Sequence, residues 1–300
     1  MTIIDSDNRH AKTVREGLEH FKSLADSLEG WEFSSEKDGV KLYTKDVPGN
    51  PLPMVRGDAV LQLADPDQVP PMAMASASIL PGCRKVWDEQ LDEAEIKEIF
   101  TRYETLSWVK MKAPWPVSPR DICGASIRDS GDDLVYLLIM SVEDDKVPPV
   151  PGCVRANLMC SGWKFQRVPE GIAVTYVVQI DLAGSIPTWL LKRVQTSIPL
   201  CAGKLSEYIA DNGFPPYTRQ LTAEFLGENF DHDSRKYTLS VKGNGENRLE
   251  LLISGKTYPD PVKVQVDGQS SEPRIEDEKC GNKLIVIDDI SGSATIIVTP

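Results

Sequence analysis

Histidine is scarce in this sequence, and its three copies do not suggest a catalytic or metal site. His10 and His20 fall in one predicted helix and His232 in an acidic turn, so no Ser-His-Asp or Cys-His arrangement is indicated. The six cysteines are scattered, with no C-x-x-C pair and no histidine at ligand spacing. The sequence therefore predicts reduced core thiols, no metal, no cofactor and no catalytic residue.

Long apolar runs and an excess of positive charge are also missing. No stretch approaches the ~18 apolar residues of a membrane-spanning helix, and the charged N-terminus does not resemble a secretory signal. The net charge of -12 disfavours nucleic acid as a partner. With 41% hydrophobic residues the chain has enough apolar material for a sizeable core. We therefore expect a cytoplasmic globular protein.

Hydrophobic periodicity divides the first two thirds of the chain into helices and one sheet. Apolar residues recur at helical spacing within 7–29, which predicts an amphipathic first helix. Short alternating runs fill 31–63, and six extended segments follow between 91 and 182. Because the helices that parallel β-α-β units require are absent, these runs predict one antiparallel sheet.

Two further helices are predicted in this part. The Ala- and Met-rich stretch within 66–80 predicts a short one. Residues 185–213 carry an apolar stripe, with Pro187 near the start and Gly213 at the end, and predict a long helix that Pro199 must kink.

The residues from 218 onward show a different hydrophobic pattern. Short β-branched runs alternate with Gly-, Asn- and Asp-rich turns, which predicts a small β-sandwich. The run "GNGENR" at 243–248 lacks a phosphate-binding pattern and predicts a hairpin turn. We therefore divide the chain into domains at 1–217 and 218–300.

Four short motifs in the first domain stand in a fixed order. They are R-x-x-W-D at 84–88, P-R-D at 119–121, V-R at 154–155 and G-x-I-P-x-W at 184–189. Each is weak alone, but together they resemble the START family, the steroidogenic acute regulatory-related lipid transfer domains. The resemblance covers about residues 10–215.

The resemblance implies an α+β helix-grip fold, in which a curved antiparallel sheet surrounds a long C-terminal helix and encloses a lipid tunnel. A small all-β domain would follow it. The implied function is intracellular binding and transfer of one membrane lipid, a phospholipid or a sphingolipid, through transient contact with membranes. Moving each methylene of a lipid chain out of water is favourable by ~0.8 kcal/mol, so a long chain that crosses the cytosol needs a closed apolar tunnel.

Candidate lipid contacts come from this resemblance. Members that bind phosphatidylcholine use an Arg and an Asp that match Arg84 and Asp88. Their aromatic cage around the choline matches Val109, Ile122 and Met159, and this disfavours a choline because a quaternary ammonium needs aromatic faces.

Two other ligand classes give partial matches. The four polar residues of the ceramide-transferring member match Asp88, Val109, Ile139 and Tyr176. Only Asp88 and Tyr176 are polar in this sequence. The buried acid and arginine of sterol-binding members fall on Ser107 and Ser126. The residues expected to bind the lipid are Arg84, Asp88, Val109, Ile122, Ser126, Ile139, Met159, Tyr176, Trp189 and Val194. Structural alternatives stay open, namely a salt bridge of Arg84 with Asp88 and a core role for Tyr176 and the aliphatic residues.

Trp115 lies between two prolines in "KAPWPVSPRD", a stiff loop on which burial is least assured. In the ceramide-transferring relative, the matching tryptophan enters the membrane surface, and Trp favours the water-lipid interface. We expect Trp115 to contact membranes, with packing onto the sheet as the alternative. The second membrane tryptophan of that relative matches Ser185.

Three functions are compatible with these features. The first is a lipid transfer protein, and the second is a lipid sensor whose residues 218–300 recruit a protein partner. The third is an enzyme, because related helix-grip proteins include cyclases. The lack of histidine near the tunnel elements favours a protein that is not an enzyme.

Overall fold

The computed structural model describes residues 7–50, 52–184 and 186–300. Its helices are α1 (Ala11–Ala25), α2 (Pro71–Ile79), α3 (Pro81–Trp87), α4 (Thr188–Ser197) and α5 (Cys201–Asn212). The strands of the first part are β1 (Glu32–Lys37), β2 (Val40–Lys45), β3 (Met54–Gln62), β4 (Leu91–Thr101), β5 (Glu104–Met111), β6 (Arg120–Ser130), β7 (Leu134–Ser141), β8 (Val154–Arg155), β9 (Asn157–Val168) and β10 (Gly171–Asp181). The strands of the C-terminal part are β11 (Tyr217–Leu221), β12 (Glu224–Asp231), β13 (Lys236–Ile253), β14 (Lys263–Gln269), β15 (Arg274–Asp277) and β16 (Lys283–Thr299).

The first ten strands form one sheet, which confirms the predicted antiparallel sheet of an α+β fold. Its order is β1-β2-β3-β10-β9-β7-β6-β5-β4, and the two-residue strand β8 pairs with β6 in parallel. The last strand of this sheet in sequence order, β10, lies between β3 and β9 and pairs with both along its length. This long-range pairing joins the β1–β3 meander to the later strands.

Helices cover both faces of the sheet. On one face α1 buries Val14 and Phe21 against Ala125 and Ile127 of β6. On the other face, α2, α3 and α5 pack in a larger cluster that includes Ile122 of the same strand. Successive side chains of a strand point to opposite faces, and this alternation assigns the two clusters to the two faces.

The predicted long helix over 185–213 is two helices, α4 and α5, separated by a turn at 198–200. Pro199 has no N–H to continue the helix, and the N–H of Cys201 bonds to the Ile198 carbonyl at 3.0 Å, three residues back. The prediction of a kink is therefore wrong, because the helix breaks. The turn lies against Gly57 of β3, where a Cβ would be 2.1 Å from the Pro199 oxygen.

The six strands of the C-terminal part form a second sheet, in the order β11-β13-β16-β14, with β12 beside β13 and β15 beside β16. The prediction of a hairpin turn at 243–248 is wrong, because these residues lie inside β13. The register with β16 shifts there, and the Asn247 side chain accepts the N–H of Asn244 at 2.5 Å and donates to Thr222 at 2.8 Å. The polar run thus forms a β-bulge in a continuous strand. The sandwich stays a prediction.

The C-terminal sheet packs directly on the first part of the chain. Phe214 and Phe230 are buried in the same cluster as α2, α3 and α5. At Gly82 of α3 a Cβ would lie 1.7 Å from the Phe230 carbonyl oxygen, so the two parts touch through their backbones. The boundary between 217 and 218 falls one residue inside β11, and the two sheets share one core cluster, so the division into two domains stays a prediction.

All six cysteines are free thiols. The buried ones are Cys83, Cys123, Cys160 and Cys201, whereas Cys153 is half-buried and Cys280 is exposed. The prediction of a core thiol is therefore wrong for Cys280. No helix among the described residues is long and apolar enough to span a bilayer, and in the same residues no cluster of His, Cys, Asp and Glu is placed to hold a metal ion.

Candidate functional site

A cavity of about 80 Å³, partly open to solvent at β4, lies between α3 and strands β4 to β7. Its apolar wall includes Ile79, Leu80, Ala94, Ile96, Leu137 and Phe225. Its polar groups include Arg84, Arg102, Ser107, Arg128 and Glu228. A mostly apolar chamber with a few polar groups suits a hydrophobic ligand that has one polar end.

Four of the residues expected to bind the lipid line this cavity, namely Arg84, Val109, Ser126 and Ile139. They come from one helix and three neighbouring strands, and the inward-facing side chains alternate along each strand. The hydroxyl of Ser126 pairs with that of Thr105 at 2.7 Å, so the middle of the wall carries a satisfied polar pair.

The Arg84 and Asp88 side chains form an ion pair across one turn at the end of α3. Arg84 Nη2 lies 2.9 Å from Asp88 Oδ2, and the two side chains are 18% and 6% exposed. The second oxygen of Asp88 accepts the N–H of Gln90 at 3.1 Å. Both oxygens of Asp88 are thus used within the protein, and Arg84 is the member of the pair that faces the cavity.

Tyr176 belongs to an aromatic cluster in the core. Its ring stacks on Trp163 at a centroid distance of 3.8 Å, and Trp87 meets Trp163 edge-on at 6.0 Å. The hydroxyl groups of Tyr176 and Ser161 are 3.1 Å apart, and burial raises the pKa of Tyr176. These rings fill the space between the sheet and the helices, so the cavity lies beside them, toward β4.

The remaining expected contacts, together with Asp88 and Tyr176, are not among the described residues that line the cavity. Ile122 is buried in the main core, and Met159 and Val194 are half-buried. Trp189 of α4 is 51% exposed. No described side chain of α4 is fully buried, so this helix covers the core loosely.

Trp115 is 91% exposed on the loop between β5 and β6, and the alternative of packing onto the sheet is wrong. The loop is held by Arg120, which donates to the carbonyl oxygens of Ser118, Leu182 and Ala183. This arginine ties the Trp115 loop to the segment that leads into α4. The expected second membrane position, residue 185, lies outside the described residues.

Several residues of the four motifs make structural contacts within the protein and do not line the cavity. Asp121 is fully buried and pairs with Arg155 at 2.8 Å, which joins the P-R-D and V-R motifs. The Trp87 indole donates to the Ala77 carbonyl at 3.2 Å and fixes α3 against α2.

Sequence reasoning missed several residues of the cavity wall. Arg102, Tyr103 and Arg128 come from the β4–β5 turn and from β6, and Phe225 and Glu228 come from β12 in the other sheet. Only the long-range packing of β12 against α3 and β4 places the last two there. The charge of Arg128 at a core-facing strand position was the one available signal.

A second cavity, of about 490 Å³, lies between the two sheets. It is predominantly polar, and Arg167 and Asp67 line it as an ion pair with an N–O distance of 3.3 Å. It shares Arg102 and Tyr103 with the apolar cavity, so these two side chains separate the two spaces.

The comparisons with known proteins agree with this architecture. Residues 14–201 match the family model of the START domain. An uncharacterised protein of Pseudomonas aeruginosa is 26% identical over 175 residues, which cover 57% of this chain and 82% of that protein. Mouse START domain-containing protein 10 is 25% identical over 175 residues, and the chain spans 58% of its length.

Among solved structures, human StAR-related lipid transfer protein 5 superposes with a TM-score of 0.59 at 19% identity, over 67% of this chain and 96% of that one. Among sequence relatives, rat acetyl-coenzyme A thioesterase is also similar, at 24% identity over 57% of this chain and 31% of that protein. The structural similarity concerns the fold, and the family match covers more than half of the residues. The chain belongs to the START domain family.

Proposed function

We propose that this protein binds one membrane lipid in the cavity beside α3 and transfers it between membranes. The observation that carries the proposal is the predominantly apolar cavity against a START sheet, with a few polar groups in its wall. The name of the human structural neighbour, a lipid transfer protein, supports the same function. The ligand class we propose is a phospholipid or a sphingolipid.

Lipid entry requires part of the wall to move. The cavity of about 80 Å³ is smaller than the roughly 300 to 1,000 Å³ of most small-molecule pockets. In a helix-grip arrangement α5 is the gripped helix. We assign the opening movement to α4, which supplies no described lining residue but whose described side chains are at most half-buried, so that its displacement would leave the wall free to move. Arg84, Val109, Ser126 and Ile139 then contact the lipid first, and the other expected contacts, except Asp88, which supports Arg84, reach it after α4 moves.

Membrane contact is assigned to Trp115. The Trp115 indole is 91% exposed, so it gives up few protein contacts when it enters the membrane–water interface, where Trp is favoured. Arg120 links this loop to the start of α4, so insertion of Trp115 would act on the opening element. Lys110, five residues before Trp115, contributes little to membrane contact, because it pairs with Asp92 at 2.8 Å and with Glu93 at 3.0 Å.

We place the protein in the cytoplasm and assign it no enzymatic activity. Its six free thiols suit a reducing compartment. The cavity wall carries serine and threonine hydroxyls but, among the described residues, no histidine or cysteine that would activate a nucleophile.

Two experiments test the proposal. Native mass spectrometry of the protein purified from its own cells should find a co-purified lipid. In a vesicle-to-vesicle transfer assay, Trp115→Ala should slow extraction at least several-fold and leave affinity for lipid delivered in detergent unchanged. Phe33→Ala is the matched control, because Phe33 is a 60% exposed aromatic side chain on β1.

Tryptophan fluorescence gives a second measure of membrane contact. Added vesicles should shift the emission of the wild-type protein to the blue, and Trp115→Ala should lack this shift. Equal extraction rates for the wild type and Trp115→Ala would contradict the assignment of membrane contact.

The second candidate function is a lipid sensor with a protein partner on residues 218–300. The observation in its favour is that Phe225 and Glu228 of the C-terminal sheet line the lipid cavity. An occupant would therefore touch both sheets. A sensor should bind lipid but transfer it slowly, which the vesicle assay measures directly.

A further inference from the structure

Arg128 is a buried arginine on the cavity wall that the scaffold does not explain. It is 7% exposed and lies on β6, two residues beyond Ser126, which lines the same cavity. The side chain between them, Ile127, points to the opposite face and packs in the α1 cluster. The guanidinium of Arg128 is therefore directed into the chamber by the alternation of the strand.

The hydrogen bonding of this guanidinium is incomplete. Its Nη2 donates to the Arg102 carbonyl at 2.8 Å, but its buried Nε–H has no hydrogen-bond partner among the described residues. Burial lowers the pKa of Arg128 to about 10, and Glu228 opposes this shift. The group remains charged at neutral pH, so the protein maintains a buried cation with an open donor, which is unfavourable without a ligand.

The charges around Arg128 leave this end of the cavity positive. Arg102 and Arg128 lie over the ring of Tyr103, at 5.4 and 5.6 Å from its centroid. Glu228 is the carboxylate whose charge acts on Arg128, and it already accepts the hydroxyl of Tyr237 at 2.6 Å. Two guanidinium groups and one carboxylate thus line this end of the cavity, and Arg102 also donates to the Thr218 carbonyl.

The other charged groups of the wall have their own partners. Arg84 pairs with Asp88 at 2.9 Å, and Glu95 pairs with Lys97 at 2.5 Å. Neither pair offsets the positive charge beside Tyr103. An anionic group of a ligand would offset it and would give the Arg128 Nε–H an acceptor.

We infer that the Arg128 end of the cavity binds the acid group, a carboxylate or a phosphate, of an anionic lipid. The planar guanidinium offers parallel N–H donors that match two oxygens of either group. The lipid chain would lie along Ile79, Ala94 and Leu137 in the apolar part of the same cavity. The inference rests on the proposed lipid binding and narrows it to acidic lipids.

Matched pairs of ligands test the acid group on the full-length protein. Oleate is compared with oleyl alcohol, and phosphatidic acid with diacylglycerol, each delivered from cyclodextrin and followed by tryptophan fluorescence. For at least one pair the acid should bind about 10-fold or more tightly than its neutral partner, as charge-assisted hydrogen bonds require. The pair that shows the difference identifies carboxylate or phosphate. Equal binding within both pairs would refute the inference and leave lipid binding intact.

Variants assign the difference to Arg128. Arg128→Met should reduce the preference for the acid to less than about 3-fold, whereas Arg128→Lys should keep part of it. Arg274→Met is the matched control, because Arg274 lies on β15 with a side chain that is 51% exposed. An Arg128→Met protein that keeps the full preference would refute the assignment.

Stability separates a ligand contact from a structural arginine. A buried cation with an open donor opposes folding, so the ligand-free Arg128→Met protein should have an unchanged or higher Tm. A lower Tm, with equal loss of oleate and oleyl alcohol binding, would make Arg128 structural and overturn the inference. If neither acidic nor neutral lipids bind the wild type, the proposed function fails, and the inference fails with it.

Discussion

Asp88→Ala tests whether the acidic residue of the R-x-x-W-D motif contacts the lipid or supports Arg84. The substitution leaves the Arg84 guanidinium, which is 18% exposed, without its carboxylate at 2.9 Å. It also removes the acceptor of the Gln90 N–H. We expect the support role, because both oxygens of Asp88 already have partners within the protein.

The expected loss can be worked out from these contacts. Removing one partner of a buried ion pair costs ~3 to 5 kcal/mol, and some water at Arg84 places this pair at the lower end. The lost hydrogen bond of Gln90 adds about 1 kcal/mol. Asp88→Ala should therefore lower the unfolding free energy by ~3 to 4 kcal/mol. At roughly 2 to 4 °C per kcal/mol, Tm should fall by about 6 to 16 °C.

The measurement is urea unfolding followed by circular dichroism, combined with lipid binding on the folded protein. Arg84→Met with Asp88→Ala is the matched control, because it removes both charges and should recover the stability to within ~1 kcal/mol of the wild type. Wild-type stability of Asp88→Ala together with lost lipid binding would refute the reasoning and place Asp88 on the ligand.

Two further predictions concern close backbone contacts. Gly57→Ala places a Cβ 2.1 Å from the Pro199 oxygen, so the α4–α5 turn must shift; we expect a lower Tm and faster proteolysis at 198–200. Gly131→Ala, in an exposed turn where the new Cβ would lie 3.3 Å from the Leu134 oxygen, is the milder control and should destabilise the protein much less than Gly57→Ala. Gly82→Ala places a Cβ 1.7 Å from the Phe230 oxygen and should separate the C-terminal sheet from α3. Limited proteolysis should then release the C-terminal sheet, and lipid affinity should fall because β12 forms part of the cavity wall; an intact, fully binding variant would contradict the close contact.

The helices and strands followed mainly from local patterns. The helical spacing of Val14, Leu18 and Phe21 predicted α1, and alternation predicted the strands, because a single buried face imposes these periods on the sequence. Local signals also had limits. Pro199 predicts a kink but ends a helix, and the Gly- and Asn-rich run at 243–248 predicts a turn but forms a bulge. The same residues permit a kink or a break, and a turn or a bulge. The neighbouring strands, β3 beside Pro199 and β16 beside 243–248, decided which one forms.

The candidate site depended on the sequence and on tertiary structure in different ways. The sequence by itself determined the family, because the four motifs stand in one order along the chain, and the structure shows that two of them meet through the Asp121–Arg155 pair. It also favoured an exposed Trp115, because the flanking prolines stiffen its loop, but only the structure excluded packing of the indole onto the sheet. Only the tertiary structure decided where the cavity lies, because the rings of Trp87, Trp163 and Tyr176 fill the core and leave space beside β4. It alone brought β12 to the wall and left Arg128 with an open donor, since both depend on contacts between distant segments that no local pattern encodes.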